Sequence, residues 1–262
     1  MDLELKGRRI LLSGATGMIG AAAARTLAAE GAQLVLLGRE PSRLAPLLAE
    51  LQASGAPRCI ALPCDLASAA STDAAVEAAE RDLGPIDVLV TAAGAAQGGI
   101  FWEIDDAAWQ RNLEAKLFGT IRLLRAMAPR MVERRAGRIV AIIGNSGKQP
   151  EPRMLPGAVA NAALLAIVRG LAEELGPHGV AINALNPGPV RSPRWDTMMS
   201  SAAARAGGTP AEAEAAFLQK TALRRLATAE EVAQHVAFLA SPRAAHMTGT
   251  AVTIDGGSTK SI

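Results

Sequence analysis

The sequence predicts a doubly wound α/β fold, a seven-stranded and mainly parallel sheet with helices on both faces. Three observations predict it. Short apolar runs alternate with helical stretches almost to the end of the chain. The runs are filled with Val, Ile and Leu with little polar alternation, as in strands covered on both faces. Composition agrees: 262 residues that are 50% apolar, 20% charged and only 3% aromatic imply a sizeable core built mostly of Ala, Val, Leu and Ile.

The strand-like runs are residues 8–13, 33–38, 58–64, 86–91, 138–143, 181–186 and 251–254. Helical patterns cover 18–30, 41–53, 69–82, 108–132, 157–175 and 229–239. Gly31, Gly55, Gly84 and Gly176 fall where helices should stop. Only 195–223 breaks the rhythm. In a doubly wound sheet, loops beyond the carboxyl ends of the strands form the ligand crevice, so residues 194–223 are a candidate substrate lid. A surface loop carrying short helices is the alternative reading. Neither a repeat nor a linker divides the chain, so 1–262 reads as one domain with halves at about 5–135 and 136–262.

Charge and cysteine usage exclude several classes. The net charge of +2 comes from scattered mixed signs, and no basic run suggests a nucleic-acid or lipid surface. The densest cluster, 130–138, reads as a solvated helix end. Cys59 and Cys64 are five residues apart on an extended run, which puts them on opposite faces and argues against a disulfide. Two thiols make no metal site, and the setting they fit is reducing and cytoplasmic. His178, His235 and His246 are too scattered for a shared metal. Residues 1–6 carry acids and run straight into a strand, unlike a signal peptide. No uncharged run approaches the roughly 20 residues of a membrane helix. Trp102, Trp109 and Trp195 read as packing residues, Trp195 within the candidate lid.

Ser13-Gly14-Ala15-Thr16-Gly17-Met18-Ile19-Gly20 follows the first strand and opens a helix. Glycine permits positive φ in the turn and lets backbone N–H groups approach a pyrophosphate, while Gly20 lets the helix pack on the sheet. In this strand–turn–helix context the run reads as a Rossmann-type dinucleotide site. The second strand ends at Leu37-Gly38-Arg39-Glu40. Gly38 cannot bind a ribose hydroxyl, whereas Arg39 can pair with a 2′-phosphate, so NADP(H) is favoured over NAD(H). Asp65-Leu66 closes the third strand, where a carboxylate can take the adenine amino group. Ala92-Ala93-Gly94 closes the fourth with small residues that let backbone lie along the adenosine ribose.

With these pieces the chain, from about Leu5 to Gly257, resembles the short-chain dehydrogenase/reductase family. Ser13–Gly20 looks like its glycine motif, although the middle glycine stands at Gly17 where members of this length have it at Met18. Thr91-Ala92-Ala93-Gly94 resembles its Asn-Asn-Ala-Gly element, and Gly137-Arg138-Ile139-Val140 its fifth strand. Pro187-Gly188-Pro189-Val190-Arg191-Ser192 is similar to the loop that holds the nicotinamide, which implies cofactor roles for Pro187, Gly188, Val190 and Ser192. Val252-Thr253-Ile254-Asp255-Gly256-Gly257 resembles the family's last strand.

The family's Asn-Ser-Tyr-Lys set is where the resemblance fails. There, tyrosine exchanges the hydroxyl proton, lysine lowers its pKa from ~10, serine orients the substrate oxygen and asparagine supports a relay water. This chain has no tyrosine at all. The resemblance places Lys116, Gly144, Gly157 and Asn161 at the asparagine, serine, tyrosine and lysine positions. Ser146, two residues past the serine position, is a possible substitute, against an ordinary turn serine. Lys116 reads first as an ordinary ion pair or a solvated end, the alternative being that its ammonium reaches the space of the lost lysine, near the cofactor ribose. Asn161 can still bond a ribose hydroxyl.

Three functions are consistent with this. One is an NADP(H)-dependent oxidoreductase on a small carbonyl or alcohol with a non-standard proton donor. Another is a catalytically silent dinucleotide-binding protein, a sensor or a partner subunit. The third is a non-redox enzyme using Lys116 or Glu151 beside Gly157. The family resemblance also implies a homo-oligomer, a dimer or tetramer, through the helices at 108–132 and 157–175.

Overall fold

Seven parallel strands form one sheet in the order β3-β2-β1-β4-β5-β6-β7. The fold is taken from a computed structural model that describes residues 1–94 and 98–260. In chain order the elements are β1 (Arg9–Ser13), α1 (Met18–Ala29), β2 (Gln33–Gly38), α2 (Ala45–Ala53), β3 (Cys59–Pro63) and α3 (Ala69–Leu83). Then come β4 (Val88–Thr91), α4 (Asp106–Leu113), α5 (Gly119–Arg134), β5 (Gly137–Ile142), α6 (Leu155–Leu175) and β6 (Val180–Pro187). The last are α7 (Pro193–Ala206), α8 (Pro210–Leu218), α9 (Ala229–Ala240) and β7 (Ala251–Ile254). Strand order reverses at β1, whose neighbours are β2 and β4, and that reversal opens a crevice beyond their carboxyl ends.

Alternate residues of each strand feed two cores. Leu12 and Leu36 join Leu27 of α1 and Val232 and Val236 of α9 on one face. Leu11 and Val35 join Val76 of α3, Leu123 of α5 and Leu164 of α6 on the other. Cys59 belongs to the first core and Cys64 to the second; both are free, and burial pushes both thiols up. Leu155–His178 is long and apolar enough to cross a membrane by length and composition, although charges interrupt it. Here α6 buries Leu164, Val168, Ala172 and Leu175 in the sheet core.

Several expectations need correction. Gly31, Gly55 and Gly84 do end helices with φ of +82°, +75° and +87°. Gly176 also ends a helix, since α6 stops at Leu175, but it keeps a helical φ of −54°, and the left-handed turn comes at Gly179 with φ +72° after a 3₁₀ turn. The helix expected at 108–132 is not uniform, because Glu114–Phe118 is a π-turn between α4 and α5. Residues 195–223 are largely helical, and α7 and α8 share a small core. There Trp195 is 3% exposed, stacks edge-on to Phe217 at 4.8 Å and donates from Nε1 to Glu214 at 2.8 Å. Trp195 is thus a packing residue; Trp102, at 83% exposed, is not.

Candidate active site

The carboxyl ends of β1 to β4 open onto a cleft of about 880 Å³. Ser13, Gly14, Thr16 and Gly17 line it from the first turn, Arg39 from beyond β2, Asp65 and Leu66 from beyond β3, and Ala92, Ala93 and Gly94 from beyond β4. The turn owes its shape to two glycines. Gly14 has φ +82°, and a Cβ there would lie 2.5 Å from the Ala92 carbonyl carbon. A Cβ on Gly20 would lie 2.2 Å from the Gly14 oxygen. The turn, the start of α1 and the end of β4 therefore form one backbone contact that no side chain can enter.

Gly17 caps α1 without a side-chain bond, and the first turn carries no acid. The N–H groups of Met18, Ile19 and Gly20 have no helical partners by position, so this end suits an anion. The Ser13 hydroxyl at the cleft wall is buried without a hydrogen-bond partner. These features fit a dinucleotide pyrophosphate. Arg39 is exposed and pairs with no carboxylate among the described residues, while Glu40 is not part of the cleft wall. Arg122 donates to the Leu66 carbonyl at 2.8 Å and pairs with Glu114 at 2.6 Å, fastening the turn after β3 to the helix opposite.

A second group of residues meets beyond β4 and β5. The Lys116 Nζ donates to the Ile143 carbonyl at 2.5 Å. Gly144, the next residue, has φ +130°, and a Cβ there would lie 3.0 Å from Asn161 Nδ2. Asn161 is buried on α6, and its Nδ2 donates to the Ser146 hydroxyl at 2.8 Å while its Oδ1 has no partner. Gly157 is buried one turn earlier on that helix. Lys116, Gly144, Ser146 and Asn161 are thus brought together. The amine ends on the Ile143 carbonyl just beyond β5, a destination that the sequence left open, and burial first, then repulsion from Arg194, brings its pKa down to about 8.

The segment Pro187–Ser192 does not line the large cleft. The Gly188 N–H donates to the Ile254 carbonyl at 2.8 Å, Val190 bridges to Ala227, and Ser192 caps α7 by accepting from the Trp195 N–H at 3.1 Å. Sequence reasoning missed Gln110, Arg111, Glu114 and Ala115, which close the cleft from α4 and the π-turn. No motif marks them; the π-turn that aims them has no pattern in the sequence. Among the described residues no group of three or more His, Cys, Asp or Glu is placed to hold a metal.

A family model described as enoyl-(acyl carrier protein) reductase matches residues 14–259. The uncharacterized oxidoreductase YvrD of Bacillus subtilis is 32% identical over the whole of both chains. The short-chain reductase protein NovJ of Streptomyces niveus is 35% identical over 94% of this chain and 92% of its own. Among solved structures, L-sorbose reductase from Gluconobacter frateurii complexed with NADPH and L-sorbose superposes with a TM-score of 0.92 at 29% identity, covering all of both chains. A variant of the actinorhodin polyketide ketoreductase with NADPH also reaches 0.92, at 30% identity over 97% of this chain and 98% of that one.

Proposed function

Because the chain belongs to the short-chain dehydrogenase/reductase family, we propose that it is an NADPH-dependent reductase of a small carbonyl compound, with a proton donor other than tyrosine. One observation carries the reading: the cleft at the strand reversal gathers an uncapped helix end, an orphan Ser13 hydroxyl and an Arg39 with no carboxylate partner among the described residues. The N–H groups of Met18, Ile19 and Gly20 would hold the pyrophosphate, Arg39 the 2′-phosphate, and Asp65 and Leu66 the adenine. Ala92, Ala93 and Gly94 would lie along the adenosine ribose, and Asn161 would bind the ribose on the nicotinamide side. Pro187, Gly188, Val190 and Ser192 would flank the nicotinamide. A bound reduced nicotinamide supplies hydride to the carbonyl carbon.

The lid formed by α7 and α8 covers the substrate, and the free thiols Cys59 and Cys64 support a reducing, cytoplasmic setting. A second copy of the chain covers the apolar groove of about 710 Å³ between α5 and α6, lined by Ile121, Val132, Ile167 and Leu171 among others. Titration with NADPH and NADH, followed by a carbonyl panel, tests the reading. NADPH is expected to bind more tightly than NADH and to be consumed with at least one carbonyl. Binding without any turnover favours the silent dinucleotide-binding protein, and no binding at millimolar concentration overturns both.

A further inference from the structure

We infer, resting on the reductase reading above, that Lys116 is the catalytic proton donor of this chain and occupies, from a different helix, the working place of the missing tyrosine. The π-turn Glu114–Phe118 carries the residue, and such turns re-aim side chains at functional sites. The lysine stem passes directly under Gly94, where a Cβ would lie 2.9 Å from Cγ and 3.0 Å from Cδ. Its Nζ then meets the Ile143 carbonyl at 2.5 Å, just beyond the end of β5. An ammonium has three N–H donors, and this bond uses one. The residue after that acceptor, Gly144, carries no side chain, and its positive φ of +130° disfavours one.

The other polar groups here are weaker acids than an ammonium. Asn161 does not titrate, and the Ser146 hydroxyl, which accepts from it at 2.8 Å, keeps an O–H that is far less acidic than a lysine ammonium. The charges around the amine favour release. On its own helix Glu114 is tied to Arg122 at 2.6 Å, and from the loop after β5 Lys148 turns away to the Thr253 hydroxyl at 3.4 Å. The buried face of α6 presents Gly157, Ala158, Ala160, Asn161 and Leu164, none of which is ionisable. From α7, Arg194 repels the ammonium. Burial and this repulsion bring the pKa to about 8, so both protonation states are accessible near neutral pH.

As the carbonyl carbon gains hydride, the π pair of the C=O bond moves to oxygen. A proton passes from Nζ to that oxygen, breaking N–H and forming O–H. A bound reduced nicotinamide would supply the two electrons as hydride, and the neutral amine regains its proton from water. Before transfer, the ammonium stabilises charge developing on the oxygen.

The test compares the unmodified protein with Lys116→Met, Lys116→Gln and Lys116→Arg. Lys116→Gln keeps a donor for the Ile143 carbonyl and controls for folding, checked by thermal melting. All three are expected to lose roughly 100-fold or more in kcat with an unchanged NADPH Kd, Arg because it does not release its proton. Reduction by the unmodified protein is expected to slow as pH rises through about 8. Independently of turnover, NMR of lysines labelled at Cε is expected to show one titration near that pH, absent in Lys116→Met. Turnover retained by Lys116→Gln, or no lysine titrating near 8, overturns the proposal alone. An unmodified protein that binds NADPH but reduces no carbonyl overturns the reductase reading, and this proposal with it.

Discussion

Asn161 donates from Nδ2 to the Ser146 hydroxyl at 2.8 Å and leaves its own Oδ1 buried with no partner. A buried acceptor without a donor costs about 1–3 kcal/mol, so the free protein carries a penalty that a ligand hydroxyl would relieve. Asn161→Leu, similar in volume, removes both the penalty and the contact. The variant is expected to bind NADPH about three- to tenfold more weakly while melting within a few degrees of the unmodified protein. Fluorescence titration paired with thermal melts reads both; a large drop in melting temperature with unchanged affinity would assign the residue a packing role only.

Arg39 lines the cleft beyond β2 with no acidic partner among the described residues. A charge-assisted bond to a 2′-phosphate contributes about 1.5–3 kcal/mol. Arg39→Ala is therefore expected to weaken NADPH binding by roughly tenfold or more and to leave NADH binding unchanged. Equal weakening of the two cofactors would refute the 2′-phosphate contact.

Lys116 also has a pH signature in stability. Its pKa falls to about 8 in the folded chain, whereas an unfolded lysine titrates near 10.4. Between those values the unfolded chain binds more protons, so this residue makes stability rise with pH across that window. Below pH 8 the buried ammonium is a net cost, offset in part by its bond to Ile143. Lys116→Met is expected to be about 1–2 kcal/mol more stable at pH 7, with the difference shrinking as pH approaches 10. Denaturant melts at pH 7, 8.5 and 10 measure it; a pH-independent difference contradicts the assignment.

The α5–α6 groove gives a prediction about assembly. Leu171 lines it beside Ile167, and a Cβ on the neighbouring Gly170 would meet nothing within 4 Å, so the face is open. Leu171→Asp puts a charge on that face at a side chain that also packs against the second core, so thermal melting accompanies the assay. Light scattering after size exclusion is expected to find an oligomer for the unmodified protein and a smaller species for the variant. A monomer in both cases would remove the proposed interface.

The parallel sheet was legible because buried strands write themselves as short runs such as 33–38 and 138–143, and the residues that line the cofactor cleft stand at the ends of those runs. Helix ends were legible at glycine, both at Gly31, where φ is positive, and at Gly176, where α6 stops although the left-handed turn itself comes at Gly179 after a proline. The residues Gln110, Arg111, Glu114 and Ala115 were not legible, since a π-turn has no periodic signature and shifts which side of the helix meets the cleft.

The sequence by itself determined that this chain builds a dinucleotide cradle and contains no tyrosine to serve beside it. Turn chemistry and hydrophobic period are local, so a single chain states them directly. Only the tertiary structure decided where the Lys116 amine goes. Its acceptor, Ile143, lies 27 residues further along and on a different element, and the path between them exists because Gly94 has no side chain. Convergence of that kind is set by how strand ends and helices pack, and by the buried, carboxylate-poor surroundings that packing creates around the charge.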